Sequence, residues 1–176
     1  MIFINSKERV IRAIEFRNPD HIPYEWFEYG EYEIDNIRSD ILWANYKPLR
    51  APIIEVADDQ IRSTDEWNCT WVRYKSVPNM GQPLIHPLED WKNYSDFKFP
   101  KFDMEKRFHN VENEVKKLRN LGKYIIGYLD SGIWERLHFL RGLTQSMMDL
   151  HLNPERTHSL LKILTDFKLE LIKWFS

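Results

Sequence analysis

The apolar run Tyr124-Ile125-Ile126, bounded by Gly122 and by the turn Asp130-Ser131-Gly132, predicts a buried parallel strand over 124–129 that passes into a helix. Loops just past the carboxyl ends of such strands are where α/β folds hold ligands, so residues 127–142 are the first place to seek a site. Asn5 and Glu8 have the spacing of a capping box, and Val10, Ile11 and Ile14 share a helical face. They predict a helix over 6–16, stopped by Asn18-Pro19-Asp20. Ile22-Pro23-Tyr24-Glu25-Trp26-Phe27 reads as a first strand entered through its proline. Ile34, Ile37, Ile41 and Leu42 then recur at helical spacing.

The β-branched run Ile53-Ile54-Glu55-Val56-Ala57 reads as a second strand, with Asp58-Asp59 just beyond its carboxyl end. From Thr70 to Tyr74 large and polar residues alternate as in a half-exposed hairpin strand, expected to protrude as an insertion. Residues 78–100 are rich in Pro, Trp, Tyr and Asp and predict a long ordered connection with a helical turn over 88–94. Phe108, Val111, Val115 and Leu118 place an amphipathic helix over 104–120, closed by Asn120 and Gly122. A short helix follows over 144–150, and Asn153-Pro154 opens a long one that is still apolar on one face at Ser176. That unfinished face leads to the expectation of a truncated chain.

Composition narrows the class. The 176 residues, 43% hydrophobic and 30% charged, suit one ordinary globular domain. The net charge of −2 comes from acidic and basic residues mixed along the chain, which argues against nucleic-acid and membrane partners. The single Cys69 has no disulfide partner, and with no signal peptide or long apolar run the expected location is cytoplasmic. Seven Trp among 14% aromatic residues fit either loop anchoring or a ring-lined cleft.

Five segments carry a family resemblance. They are Ser6-Lys7-Glu8-Arg9-Val10 to Pro19-Asp20-His21-Ile22-Pro23; Asp65-Glu66-Trp67-Asn68; Pro87-Leu88-Glu89-Asp90-Trp91 to Phe97-Lys98-Phe99-Pro100; Trp134-Glu135-Arg136-Leu137 to Leu140-Arg141-Gly142; and Met147-Met148-Asp149-Leu150 to Asn153-Pro154-Glu155. Their order resembles the uroporphyrinogen decarboxylase superfamily, in particular members similar to corrinoid-linked methyltransferases. The resemblance implies an α/β chain forming the amino-terminal part of a single (β/α)8 TIM barrel, with about three parallel strands, at 22–27, 53–57 and 124–129. An open barrel remnant would expose a strand edge, so the polypeptide alone is expected to aggregate or to need its missing half, and to be inactive by itself.

Within that resemblance Asp65 matches the decarboxylase's key aspartate, and His138 falls where the decarboxylase has a tyrosine beside its substrate. These are the two catalytic candidates; by its residues alone Asp65 is equally a turn cap, and His138 a structural histidine. Glu25, Tyr128 and Asp130, at or just past expected strand ends, are the substrate-binding candidates. Ser131 reads as the N-cap of the following helix, and Arg141 and Glu135 as a solvated pair. The segment Tyr24-Glu25-Trp26-Phe27-Glu28 lacks the arginine that a polyacidic porphyrinogen calls for. No metal ligands are expected in this portion, because the remaining histidines are scattered and Cys69 stands alone. For the complete protein the resemblance allows zinc and a corrinoid protein partner. Three readings stay open: methyl transfer involving a corrinoid protein or related small molecule, porphyrinogen decarboxylation, and a non-catalytic fragment or binding module.

Overall fold

A computed structural model describes residues 4–25, 39–77, 79 and 81–176. In chain order the elements are α1 (Ser6–Ile14), β1 (Ile41–Asn45), β2 (Ile53–Ala57), β3 (Gln60–Thr64), β4 (Thr70–Tyr74), β5 (Gln82–Ile85), a 3-10 turn (Trp91–Tyr94), α2 (Met104–Phe108), α3 (Val111–Arg119), β6 (Tyr124–Tyr128), α4 (Ile133–Arg141), α5 (Leu143–Leu152) and α6 (Pro154–Phe175). The fold is mixed α/β, with one parallel and one antiparallel sheet and no closed barrel among the described strands. The chain divides into two compact units, Met1–Tyr46 with Phe108–Tyr128, and Lys47–Arg107 with Leu129–Ser176.

In the first unit β1 and β6 pair in parallel, Ile41 opposite Tyr124 and Asn45 opposite Tyr128. Helices α1 and α3 pack on this pair, burying Val10, Leu42, Ala44 and Val111. The expected cap of α1 is present, since Asn5 Oδ1 accepts from the Glu8 backbone N–H at 2.8 Å. Glu8 itself turns to Arg12, at 2.7 Å, so the capping box is one-sided.

In the second unit β2, β3, β4 and β5 form an antiparallel meander in that order. Its helical part, α4 to α6, buries Leu137, Leu140, Leu160, Leu164, Phe167 and Leu171. Cys69 and Trp67 are buried in the same unit, and the Trp67 ring meets Phe167 edge-on at 5.2 Å.

Several expectations are corrected. The run 53–57 is a strand, yet it pairs antiparallel with β3 and stands exposed, with Ile53, Ile54 and Val56 all more than half accessible. Asp58-Asp59 is the two-residue hairpin turn that joins them, with Asp58 at φ 45°. Residues 22–25 carry no strand: Tyr24 exchanges bonds with Asp40 instead, its N–H to Oδ2 at 3.2 Å and its carbonyl accepting from the Asp40 N–H at 2.9 Å. Trp26, Phe27, Ile34 and Ile37 lie outside the described residues. Ile41 and Leu42, expected on a helix, open β1. The helix over 104–120 is broken at His109-Asn110 into α2 and α3. Asn153 precedes α6 without a side-chain cap bond, because its amide donates to Asp149 Oδ1 at 2.7 Å. No helix among the described residues is long and apolar enough to cross a membrane.

Candidate functional site

The second unit gathers three of the five candidates. Asp65 follows β3 and builds a tight loop from its own side chain: Oδ1 accepts from the backbone N–H groups of Trp67 and Cys69, each at 2.9 Å. Asn68 takes the left-handed φ of 61° that asparagine tolerates better than most residues, which turns the chain back into β4. The turn-capping alternative for Asp65 is therefore realised. Its other oxygen, Oδ2, accepts from Arg136 Nη1 at 2.8 Å and from the Trp71 indole N–H at 3.3 Å. Each carboxylate oxygen thus accepts two N–H bonds.

Asp130 enters the same cluster through the backbone. At φ 60° it occupies the left-handed region, and its Oδ2 accepts from Arg136 Nη2 at 2.6 Å. Arg136 Nε donates to Ser131 Oγ at 3.2 Å, which corrects the expected cap: Gly132 caps α4, and its N–H is met by Glu135 Oε2 at 2.7 Å. The Arg136 side chain is 7% exposed and lies 5.3 Å from the Trp67 ring centre and 5.6 Å from that of Phe139. Burial alone would lower its pKa, but the charges of Asp130 and Asp65 more than offset this and raise it.

Lys168 and Cys69 border the cluster. Lys168 Nζ donates to the Leu129 carbonyl, and burial lowers its pKa. The Cys69 thiol is pushed up to about 12, first by burial and next by the Asp65 charge, while Sγ donates to the Phe139 carbonyl at 3.3 Å. Such a thiol stays protonated and is a poor zinc ligand. Among the described residues no three of His, Cys, Asp and Glu are grouped as a metal site.

Beside the cluster lies a cleft of about 290 Å³ walled by Trp71 of β4 and Phe139 of α4, with His86, His138 and Gln82 around it and Leu143 at hand. The Trp71 and Phe139 rings meet edge-on at 4.5 Å, and His138 meets Phe139 in the same way at 4.5 Å. Gly81 shapes the wall, since a Cβ there would lie 2.6 Å from the Val72 carbonyl oxygen and its φ is 89°. His138 is partly exposed, and its Nδ1 meets the Trp134 carbonyl at 3.1 Å. Trp71 joins cluster to cleft, because its indole N–H contacts Asp65 while its ring faces Phe139.

Glu25 and Tyr128 belong to the first unit. They meet there through Trp43, whose indole N–H donates to Glu25 Oε1 and whose ring is 5.6 Å from that of Tyr128, edge-on. The structure thus joins Asp65 to Asp130 through Arg136, sets His138 at the cleft, and in the first unit links Glu25 to Tyr128 through Trp43.

The pairing of Arg141 with Glu135 is corrected. Arg141 is 3% exposed, donates from Nε to Asp149 Oδ2 at 2.9 Å and from Nη1 to the carbonyls of Leu88 and Glu89, and sits 4.1 Å from the Trp91 ring centre. Besides Arg136, the residues that sequence reasoning passed over are Trp71 and His86. Alternation marks Trp71 as one face of a strand, and the following Pro87 marks His86 as extended, but neither signal says that the two share a cleft. No family model, curated protein or solved structure matches the chain.

Proposed function

We propose that the chain is the amino-terminal part of a uroporphyrinogen decarboxylase-like barrel enzyme that transfers methyl groups with a corrinoid protein or a related small molecule. One observation carries the reading: segments that bear the resemblance, far apart in sequence, bond to one another. Arg136 joins the segment at 134–142 to Asp65-Glu66-Trp67-Asn68, and Arg141 ties it to Asp149 and to Leu88 and Glu89. Outside the five segments, Arg107 Nη1 also donates to Glu66 Oε1 of the second one, at 2.8 Å. In the first unit Arg9 and Asp20, both in the first segment, pair at 2.7 Å.

In this reading Asp65 is a positioning residue. Its carboxylate holds Arg136 and the Trp71 indole in place, and it would have to release a partner to move a proton. His138, partly exposed at the cleft, is the group left to touch a substrate. The lack of arginine around Glu25 speaks against a polyacidic porphyrinogen.

The test is methyl transfer by the product of the complete gene, given methylcobalamin and a small thiol and followed by the corrinoid absorbance. Loss of the methylcobalamin spectrum with methylation of the thiol is expected. An unchanged spectrum would overturn the reading, and turnover of uroporphyrinogen would establish the decarboxylase in its place.

A further inference from the structure

The two histidines of the cleft are fixed in the same way. His86 Nδ1 lies 2.8 Å from the Phe139 carbonyl oxygen, and His138 Nδ1 lies 3.1 Å from that of Trp134. A carbonyl oxygen only accepts, so each Nδ1 carries the proton in these contacts. In the neutral ring Nε2 is then a lone-pair acceptor, the one polar ring atom each side chain has left for a ligand. Two imidazole side chains therefore line a cleft to which Trp71 and Phe139 add aromatic rings and Pro83 and Leu143 aliphatic surface.

Size and chemistry select an occupant. The volume of about 290 Å³ is at the lower end of small-molecule sites, which run from roughly 300 to 1,000 Å³, and suits a single ring with short substituents. Aromatic walls favour a flat π-system, edge-on or offset-stacked. Acceptors at the margin favour hydroxyl donors, and Gln82 adds an amide that both donates and accepts. Among the described residues no cationic side chain lines the cleft, so a carboxylate or phosphate gains no charge partner from them.

We infer that this cleft binds a small planar phenol whose hydroxyl protons are accepted by Nε2 of His86 and His138, with the ring held by Trp71 and Phe139. The inference rests on the cleft being the substrate site of the proposed enzyme, and it adds the substrate class. Binding is read separately from methyl transfer, so the failure of either is told apart from the failure of the other.

The probe is catechol, titrated calorimetrically into the full chain. Saturable 1:1 binding is expected, at least about tenfold tighter than that of 1,2-dimethoxybenzene, which keeps the ring and has no donor. 1,2-Cyclohexanediol, which keeps the donors and lacks the ring, should also bind more weakly. In His86→Asn and His138→Asn the shorter amide can still donate to the same carbonyl, so the local fold keeps its contact while Nε2 is removed. Each variant should weaken catechol about tenfold with little change in the thermal midpoint. Absence of saturable binding, equal binding of the dimethoxy compound, or unchanged affinity in both folded variants would each overturn the inference.

Discussion

Two arginines in this chain are each held between two aspartates, and their surroundings differ. Arg9 in the first unit forks onto both oxygens of Asp20, at 2.7 and 3.0 Å, and reaches Asp40 at 2.5 Å and the Ile4 carbonyl at 3.1 Å. Arg136 in the second unit binds Asp65 and Asp130 through one oxygen each. Around Arg9 the other described contacts to its carboxylates are the backbone N–H groups of His21 on Asp20 and of Tyr24 on Asp40, with the His21 ring nitrogen 3.5 Å from Asp20. Around Arg136 they include aromatic rings and, through Asp65, the indole of Trp71 at the cleft. The same triad of charges thus staples chain segments in one place and supports a ligand wall in the other. A buried ion pair alone is no mark of function; what it holds decides.

Arg136→Leu should produce the largest effect that separates the two. It leaves Asp65 and Asp130 without their shared cation and should cost about 3–5 kcal/mol in urea unfolding. A loss under about 1 kcal/mol would show that the pair is not desolvated, as for surface pairs.

Acid should act on the first triad. The Arg9 guanidinium holds Asp20 well below its ordinary 3.8, at about 2. A depressed carboxyl pKa stabilises the fold above the unfolded value, so this contribution is complete above pH 3.8 and is lost as pH falls from there through about 2. Asp149 is also lowered: burial raises it, and the bonds from Arg141 and Asn153 outweigh burial. Denaturation profiles between pH 2 and 5 should be flatter in Asp20→Asn than in the unmodified chain. Identical slopes would show that the pair does not persist in solution.

Smaller changes sharpen the contrast. Asn5→Ala removes the cap of α1 and should cost about 1 kcal/mol of stability without touching catechol binding. Trp71→Phe keeps an aromatic ring in the cleft wall and loses the long bond to Asp65 along with the smaller ring of the indole. It should cost about 0.5 kcal/mol, the low end for a hydrogen bond, measured by urea midpoint.

Much of this contrast was legible, though unevenly. The capping pattern at Asn5, the parallel strand at 124–128 with its turn and helix, the alternation at 70–74 and the Pro154 helix start are local signals, and the structure carries them, except that the strand expected to be buried is half-buried with Tyr128 exposed. Strand β1 was hidden because Ile41 and Leu42 continue the helical spacing of Ile34 and Ile37, and a short apolar run has no period of its own. Strand β2 was recognised but its direction was not, since pairing depends on the partner; Asp58-Asp59 lacks the glycine that usually announces a two-residue hairpin. Burial of Arg141 depends on Asp149 in the next helix and on backbone carbonyls at 88 and 89, which no spacing rule connects. For the site, Asp130 and Asp65 could be named, whereas their joint partner Arg136, 71 residues from Asp65, could not.

The most direct test of the difference between the two triads is one pair of catechol titrations, into Arg136→Lys and Arg9→Lys. Lysine keeps the charge at each position but cannot bridge two carboxylates with a planar fork. The expected result is catechol affinity at least about tenfold weaker in Arg136→Lys and within about twofold of the unmodified chain in Arg9→Lys. Equal affinities in the two variants would contradict a supporting role for Arg136 at the cleft.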